Sequence, residues 1–369
     1  MASTATISSA TSPSASEASA ATRGRVRTRT VLVFGGLTLA LVTAVIVAAG
    51  SGQLEVSPSE VIGSILHRLG IDAGSMPSHP NGDAVLWDVR FPRVVMALLV
   101  GSALGVAGAL MQGVFGNPLA EPAVVGVSSG AAVGACLVIV FKITVLGTFT
   151  TPVAAFLASL LTTLIVYGLS RSNGRTEVVT IVLMGIAVNA VSAGLIGFFV
   201  FLGDTQAREQ IVFWQLGSLN GIRWQAVAAV APLMAVGLAG AGTVARRLDL
   251  LALGERPARH LGVNVERLRL TTIVMVALLV GPAVAFAGII GFVGLVVAHL
   301  LRMVIGPSHP TLIPASALGG ALVLLLADLF ARTAVDFADL PIGMLTALIG
   351  GPSFFWLLRR ERSRAGGWA

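Results

Sequence analysis

The sequence has little charge, and this scarcity excludes an ordinary soluble protein. Asp, Glu, Lys and Arg make up 11% of 369 residues, whereas apolar residues make up 55%. A soluble domain carries about 25% charged residues, so the charge here cannot cover a water-facing surface. Lysine and cysteine are almost missing, since Lys142 and Cys136 are the only residues of their kinds. A lone cysteine excludes an internal disulfide and a cysteine-based metal site.

Motifs for covalent chemistry are also missing, and we expect no catalytic residue, cofactor or metal. A P-loop requires glycine followed by lysine, but Lys142 follows Phe141. The zinc-protease pattern HExxH does not occur. Gly126–Gly130 matches GxSxG around Ser128, which leaves an intramembrane hydrolase as a hypothesis. A nucleophile elbow needs a strand–turn–helix and a histidine partner, so helix packing is the favoured interpretation.

The basic residues are almost all arginines, gathered in short clusters between apolar runs. This distribution is typical of topology signals on cytoplasmic loops and does not indicate a nucleic-acid surface. A membrane-spanning helix needs about 20 apolar residues. The sequence predicts an all-α polytopic membrane protein with ten spans: 31–50, 93–114, 122–141, 151–170, 178–202, 226–245, 270–287, 289–305, 312–331 and 343–358.

Ten spans place both termini on one side, and the charges support this topology. With the termini in the cytoplasm, 17 basic residues lie inside and seven outside, which agrees with the positive-inside rule. We therefore predict a disordered basic cytoplasmic tail at 1–30, one transmembrane domain at 31–358 and a cytoplasmic tail at 359–369. Helical spacing from Pro58 to Leu69, with Ser57 as the cap, predicts a short helix that lies along the membrane surface.

An internal repeat relates two of the predicted spans. Val94–Gly108 and Val274–Gly288 share nine of fifteen residues at a constant offset of 180. These segments belong to spans two and seven, which cross in opposite directions, so the repeat is inverted. Inverted repeats build transporters, because two halves of opposite orientation can open alternately to either side.

Three further features are candidates for function. A turn is predicted between spans two and three, because the helix is broken there by Asn117, Pro118 and Pro122. The cytoplasmic loop 246–269 contains two helical pieces, which Pro257 can begin and Asn264 can cap, and its exposed leucines favour docking of a soluble partner over a purely structural elbow. Asp328 lies inside a span with Arg332 at helical spacing; the pair is either structural or part of a transport path.

These segments together resemble the FecCD family, the permease subunits of ABC importers for ferric siderophores, haem and cobalamin. The resemblance covers about residues 50 to 360 and rests on the following segments: Arg90–Arg93, Gln112, Asn117–Pro122, Gly126–Ala131, Trp214–Ser218, Gly291–Leu295 with His299 and Arg302, Leu340–Gly343 and Gly350–Phe354. Two positions depart from the family pattern. Ala298 stands where proline usually precedes the histidine, and Asp339 stands where glutamate is usual.

The resemblance implies a type II ABC importer permease in the bacterial cytoplasmic membrane. A second permease subunit, identical or different, would complete the path, and two ATPase subunits and an extracytoplasmic binding protein would join it. By motif, Arg90, Arg93 and Arg332 would receive acidic residues of the binding protein. The ATPase would contact Leu250, Leu251, Gly254, Arg256, Ala258, Gly262 and Val263. Packing or path roles would fall on Gln112, Asn117, Pro118, Gly126, Gly130, Asp328, Pro341 and Gly343.

We expect a ferric siderophore as substrate, because it is the commonest cargo in the family, with cobalamin or haem as the alternatives. A hypothesis of a different class is a proton-coupled secondary transporter that uses Asp328. The two classes differ in what they require, since only the importer needs a separate ATPase.

Overall fold

Helices make up nearly the whole chain in the computed structural model, which describes residues 15–172, 175–335 and 337–364. The elements are α1 (Ala15–Gly50), α2 (Pro58–Arg68), α3 (Gly82–Ala84), α4 (Phe91–Phe115), α5 (Val127–Val140), α6 (Thr150–Leu169), α7 (Val178–Leu202), α8 (Thr205–Leu216), α9 (Trp224–Leu251), α10 (Glu255–His260), α11 (Val265–Ala287), α12 (Val293–Ile305), α13 (His309–Thr333) and α14 (Ile342–Arg364). A π-helical turn, Val85–Arg90, leads into α4. Two-residue strands β1 (Arg171–Ser172) and β2 (Arg175–Thr176) pair in antiparallel fashion.

Each of the ten predicted spans corresponds to one long or medium helix. Within the described ranges, eight helices are long and apolar enough to cross a membrane, and α5 and α12 are shorter apolar helices. These two fall short of the predicted spans 122–141 and 289–305 because turns occupy the first residues of each. Helix α1 begins at Ala15, before the expected residue 31. Residues 15–30 of the predicted disordered tail are therefore helical, whereas residues 1–14 and 365–369 lie outside the described residues and stay predictions.

Polar caps fix several helix starts. Ser57 and Glu60 form a reciprocal capping box at α2, as the spacing predicted for the Ser57 cap. Hydrogen bonds from Ser78 and Ser57 hold the pKa of Glu60 at about 2. In the loop 246–269, which we call the elbow, Asn264 accepts a hydrogen bond from the Arg267 amide at 3.0 Å, which confirms the predicted cap.

Two details of the predicted elbow were wrong. Helix α10 begins at Glu255 rather than at Pro257, since Gly254, with φ at +105°, already turns the chain. The second predicted piece is not a separate short helix. It is the first part of α11, which continues unbroken from Val265 into the bundle.

The bundle is built from two five-helix halves, and the second helix of each half packs against the fourth helix of the other half. The first half contains α1, α4, α5, α6 and α7, and the second contains α9, α11, α12, α13 and α14. Helix α4 packs along α13 of the other half, and α11 packs along α6 in the corresponding way. Both repeat segments lie on the central helices α4 and α11, and each is followed by a turn and a short helix. This arrangement supports the inverted repeat.

The two ends of the bundle are distinct. Helix α9 has 28 residues, about 42 Å at 1.5 Å per residue. At its first residue, the Trp224 indole donates to the Trp87 carbonyl near Arg90, and its last residues lead directly into α10. We call the end with Arg90, Arg93 and Arg332 the arginine end, and the end with α10 the elbow end.

Candidate functional site

An ionic cluster at the arginine end links α4, α13 and the segment before α14. Arg93 Nε donates to Asp328 Oδ1 at 2.8 Å, and Arg93 Nη1 donates to Asp339 Oδ2 at 2.9 Å. The Asp328 side chain is fully buried, and Arg332 Nε lies 3.6 Å from its second oxygen, which is an ionic contact without a hydrogen bond. Asp328 therefore holds two arginines from different helices and acts as the centre of the cluster.

Arg90 and Arg332 cap the carboxyl end of α1 with their guanidinium groups. Arg90 Nη1 donates to the carbonyls of Ala49 and Gly50 at 2.7 and 2.8 Å, and its Nη2 donates to the Leu54 carbonyl. Arg332 donates to the Ser51 carbonyl at 2.9 Å and also to the Ala48 carbonyl. The last carbonyls of a helix have no partner within it, and cations are favoured there.

The structure thus brings Arg90, Arg93 and Arg332 together, as the predicted docking site requires, but as internally bonded side chains. Only 11% of the Arg93 side chain and 9% of the Arg332 side chain are exposed. Sequence reasoning found the Asp328–Arg332 spacing but missed Arg93 as a partner of Asp328, because 235 residues separate them. Docking on these arginines stays a prediction.

At the elbow end, α10 is tied to the β1–β2 hairpin. Buried Arg269 donates to Glu255 and to the Thr176 carbonyl. Glu266 accepts from the Thr176 amide at 3.1 Å, so one network joins the elbow, the hairpin and α11. Sequence reasoning missed this partnership, because Thr176 and Arg269 are 93 positions apart.

The predicted coupling residues divide into two groups. Leu251, Ala258 and Val263 are buried against the bundle, and Leu250 is half-buried. Gly254 and Gly262 have positive φ and shape the turns, while Arg256 is exposed. The large apolar side chains that face outward are Leu253 and Leu261, exposed by 63% and 58%. A docking partner would therefore contact Leu253 and Leu261, neither of which is among the predicted coupling residues.

The remaining motif residues shape turns and close helix contacts. Gln112 donates to the Leu295 carbonyl and accepts from Arg302, and Asn117 accepts from the Leu119 amide. Pro118 lies in the same turn as Asn117, and Pro341 directly precedes α14.

The motif glycines allow a left-handed turn or a close helix contact. Gly126 has φ at +78°. A Cβ on Gly130 would meet Thr162 of α6 at 2.2 Å, and one on Gly343 would meet the Ile289 carbonyl at 2.3 Å.

Within the described residues, ten apolar helices in two packing-related halves, with polar contacts at both ends, define a multi-pass membrane subunit. The chain belongs to the FecCD transport family, whose profile matches residues 39–360. It is 40% identical to the hemin transport system permease HmuU of Yersinia pestis, over 93% of this chain and 99% of that protein. It is also 40% identical to the cobalamin import permease BtuC of Halobacterium salinarum, over 77% of this chain and 76% of that protein.

A solved structure supports the same assignment. An inward-facing metal-chelate type ABC transporter superposes with a TM-score of 0.78 at 32% identity, over 89% of this chain and 99% of that one. The chain is therefore an ABC importer permease, as its motifs indicated. Membership implies ATPase and substrate-binding partners and a membrane.

Proposed function

We propose that the chain is one of two permease subunits of an importer for an iron chelate, with haem as the leading cargo. The observation that carries the proposal is similarity to a hemin permease along 99% of that protein's length. The matched cobalamin permease of Halobacterium salinarum is covered over only 76% of its length, and the vitamin B12 permease of Klebsiella pneumoniae, covered over 94%, is less similar at 35% identity. A ferric siderophore, the cargo expected because it is the commonest in the family, is the second candidate, and the solved relative is an ABC transporter of the metal-chelate type.

Uptake by intact cells separates these cargoes. A strain lacking the gene is supplied in parallel with radiolabelled haem, ferric siderophore or cobalamin, and then complemented with the chain. We expect complementation to restore haem uptake at least about tenfold and to leave cobalamin uptake unchanged. Restored siderophore uptake without haem uptake would replace the leading cargo, and restoration of none would contradict an iron-chelate importer.

We further propose that the elbow end faces the cytoplasm and the arginine end faces outward, with both termini cytoplasmic. The positive-inside count supports this orientation, since seven of 24 basic residues then lie outside. A cytoplasmic ATPase would reach Leu253 and Leu261, while an extracytoplasmic binding protein would reach the surface around Arg93. The two partners would thus bind opposite ends of the same bundle.

The first prediction concerns the binding protein. Arg93 is the most exposed arginine of the cluster, and its partner Asp339 is 25% exposed, so an incoming carboxylate could replace Asp339 on the guanidinium. We expect Arg93→Gln to weaken association with the binding protein at least about tenfold, because the ionic contact to that protein is lost, and thermal stability is measured in parallel because the change also removes the hydrogen bond to buried Asp328. Asp339→Asn should strengthen association severalfold, because it frees the guanidinium.

Affinity is measured by surface plasmon resonance on the complex in nanodiscs. Arg68→Gln is the matched control, since Arg68 is exposed at the same end and stacks on Trp87 outside the cluster. Equal affinities for Arg93→Gln and the unaltered chain would contradict docking at this site.

The second prediction concerns the ATPase. Replacing Leu253 and Leu261 together by Glu places two charges on the exposed apolar surface of the elbow, and we expect co-purification of the ATPase to fall at least about tenfold. Leu69→Glu is the control, because Leu69 is 71% exposed at the arginine end. Normal ATPase recovery with the double variant would show that the elbow is only structural.

A further inference from the structure

The two turns that follow the repeat segments touch each other. One turn joins α4 to α5 over residues 116–126, and the other joins α11 to α12 over residues 288–292. Glu121 Oε1 in the first turn accepts a hydrogen bond from the Phe292 amide in the second at 2.9 Å. The contact joins the first half of the chain to the second across 171 positions.

This contact is partly buried and lies away from both ends of the bundle. Gly108, seven residues before the end of α4, packs directly on Gly294 at the start of α12. Gly350, eight residues into α14, packs on the Phe292 side chain. At 1.5 Å per residue, the contact is thus roughly 10 Å from either end of the spanning helices. Irregular backbone at such a depth requires protein partners for its polar groups.

The first turn is fixed against α7. A Cβ on Gly185 would meet the Val124 carbonyl at 1.7 Å, so the turn lies directly on the α7 backbone. Asn189 of α7 donates to the Ala123 carbonyl at 3.4 Å and accepts from Ser129 at 2.6 Å. A displacement of α7 therefore moves the turn that carries Glu121.

The second turn is fixed against α14. Phe292 is the N-cap of α12 and has φ at +66°, a conformation that an aromatic residue seldom adopts. A Cβ on Gly350 would meet the Phe292 Cβ at 2.3 Å, so the Phe292 side chain lies on the α14 backbone. The hydrogen bond from the Phe292 amide to Glu121 offsets the unfavourable backbone at Phe292.

We propose that Glu121 is a positioning residue that latches the two turns together and so transmits movement between α7 and α14, the last helices of the two halves. The proposal rests on the proposed transport function for its role, but the latch itself is a property of the isolated chain. The latch requires an acceptor oxygen on a side chain long enough to meet the Phe292 amide. Gln keeps that oxygen, Ala removes it, and Asp holds a carboxylate on a side chain shorter by one carbon.

Hydrogen exchange and transport together test the latch. In nanodiscs, we expect the amides of residues 292–296 to exchange about 10- to 100-fold faster in Glu121→Ala, because a hydrogen bond to a half-buried carboxylate is lost. Glu121→Asp should show the same loosening while keeping the charge, and Glu121→Gln should exchange like the unaltered chain. In the complete importer, Glu121→Ala and Glu121→Asp should reduce haem uptake at least about tenfold while ATP hydrolysis continues.

The outcomes are separable. Unchanged exchange in both Glu121→Ala and Glu121→Asp, or a Gln variant as loose as the Ala variant, would overturn the latch. Loosened exchange with full uptake would overturn its role in coupling. Failure of the unaltered chain to transport haem, siderophore or cobalamin would overturn the proposed function instead, while the exchange comparison would still judge the latch.

Discussion

Replacing Asp328 by Asn is expected to destabilise the folded chain by about 3–5 kcal/mol, since one change breaks a buried ionic cluster. Asp328 is fully buried, and its negative charge faces Arg93 at 2.8 Å and Arg332 at 3.6 Å. Removal of that charge leaves two largely buried guanidinium groups without their shared anion. The loss should appear as a lower yield of monodisperse protein in detergent and a lower temperature of thermal inactivation.

Asp339→Asn is the matched control, because it breaks a contact of 2.9 Å to the same arginine, against 2.8 Å for Asp328. Asp339 is 25% exposed, so water replaces much of the lost interaction, and about 1 kcal/mol or less should be lost. A fully stable Asp328→Asn protein that had lost only gradient-driven exchange would contradict the structural role. That result would favour the proton-coupled transporter instead.

Gly108→Ala is expected to cost about 3 kcal/mol or more, although it adds only one methyl group. A Cβ at Gly108 would lie 2.1 Å from the Gly294 carbonyl oxygen and 2.4 Å from its carbon. These are backbone atoms, so no side-chain rotation can relieve the overlap, and α4 and α12 must separate. The same thermal assay measures the loss, together with loss of ATPase recovery when the helices fail to assemble.

Gly36→Ala provides the comparison for this glycine, since nothing lies within 4 Å of a Cβ built at Gly36 of α1. Alanine favours helix over glycine, so this variant should be neutral or slightly more stable. Equal behaviour of Gly36→Ala and Gly108→Ala would show that α4 and α12 do not approach as closely as described.

Helices and their order could be predicted from the sequence because apolar length is a local property. The Ser57 and Asn264 caps are likewise local, since each side chain reaches an amide three residues on. The repeat could be found because α4 and α11 must both present small residues at close crossings. The lengths of α5 and α12 were overestimated, because hydropathy does not distinguish the apolar residues of the preceding turns from helical residues.

Long-range partners could not be predicted, and they determine what the arginines do. Nothing in the segment Arg90–Arg93 indicates that Arg90 caps α1, whose carbonyls lie about 40 positions earlier. The same holds for Glu121, whose partner is a backbone amide with no side-chain signature. Helix α8 was not predicted either, because its 12 residues are too few and too polar for a span.

Transport by purified components tests the central claim most directly. The chain is reconstituted in liposomes with its ATPase and binding protein, and radiolabelled haem uptake is measured with ATP, without ATP, and with a proton gradient alone. An ABC importer permease predicts uptake only when the ATPase and ATP are both present. Uptake by the chain alone, driven by the gradient, would contradict the assignment of the energy source to a partner.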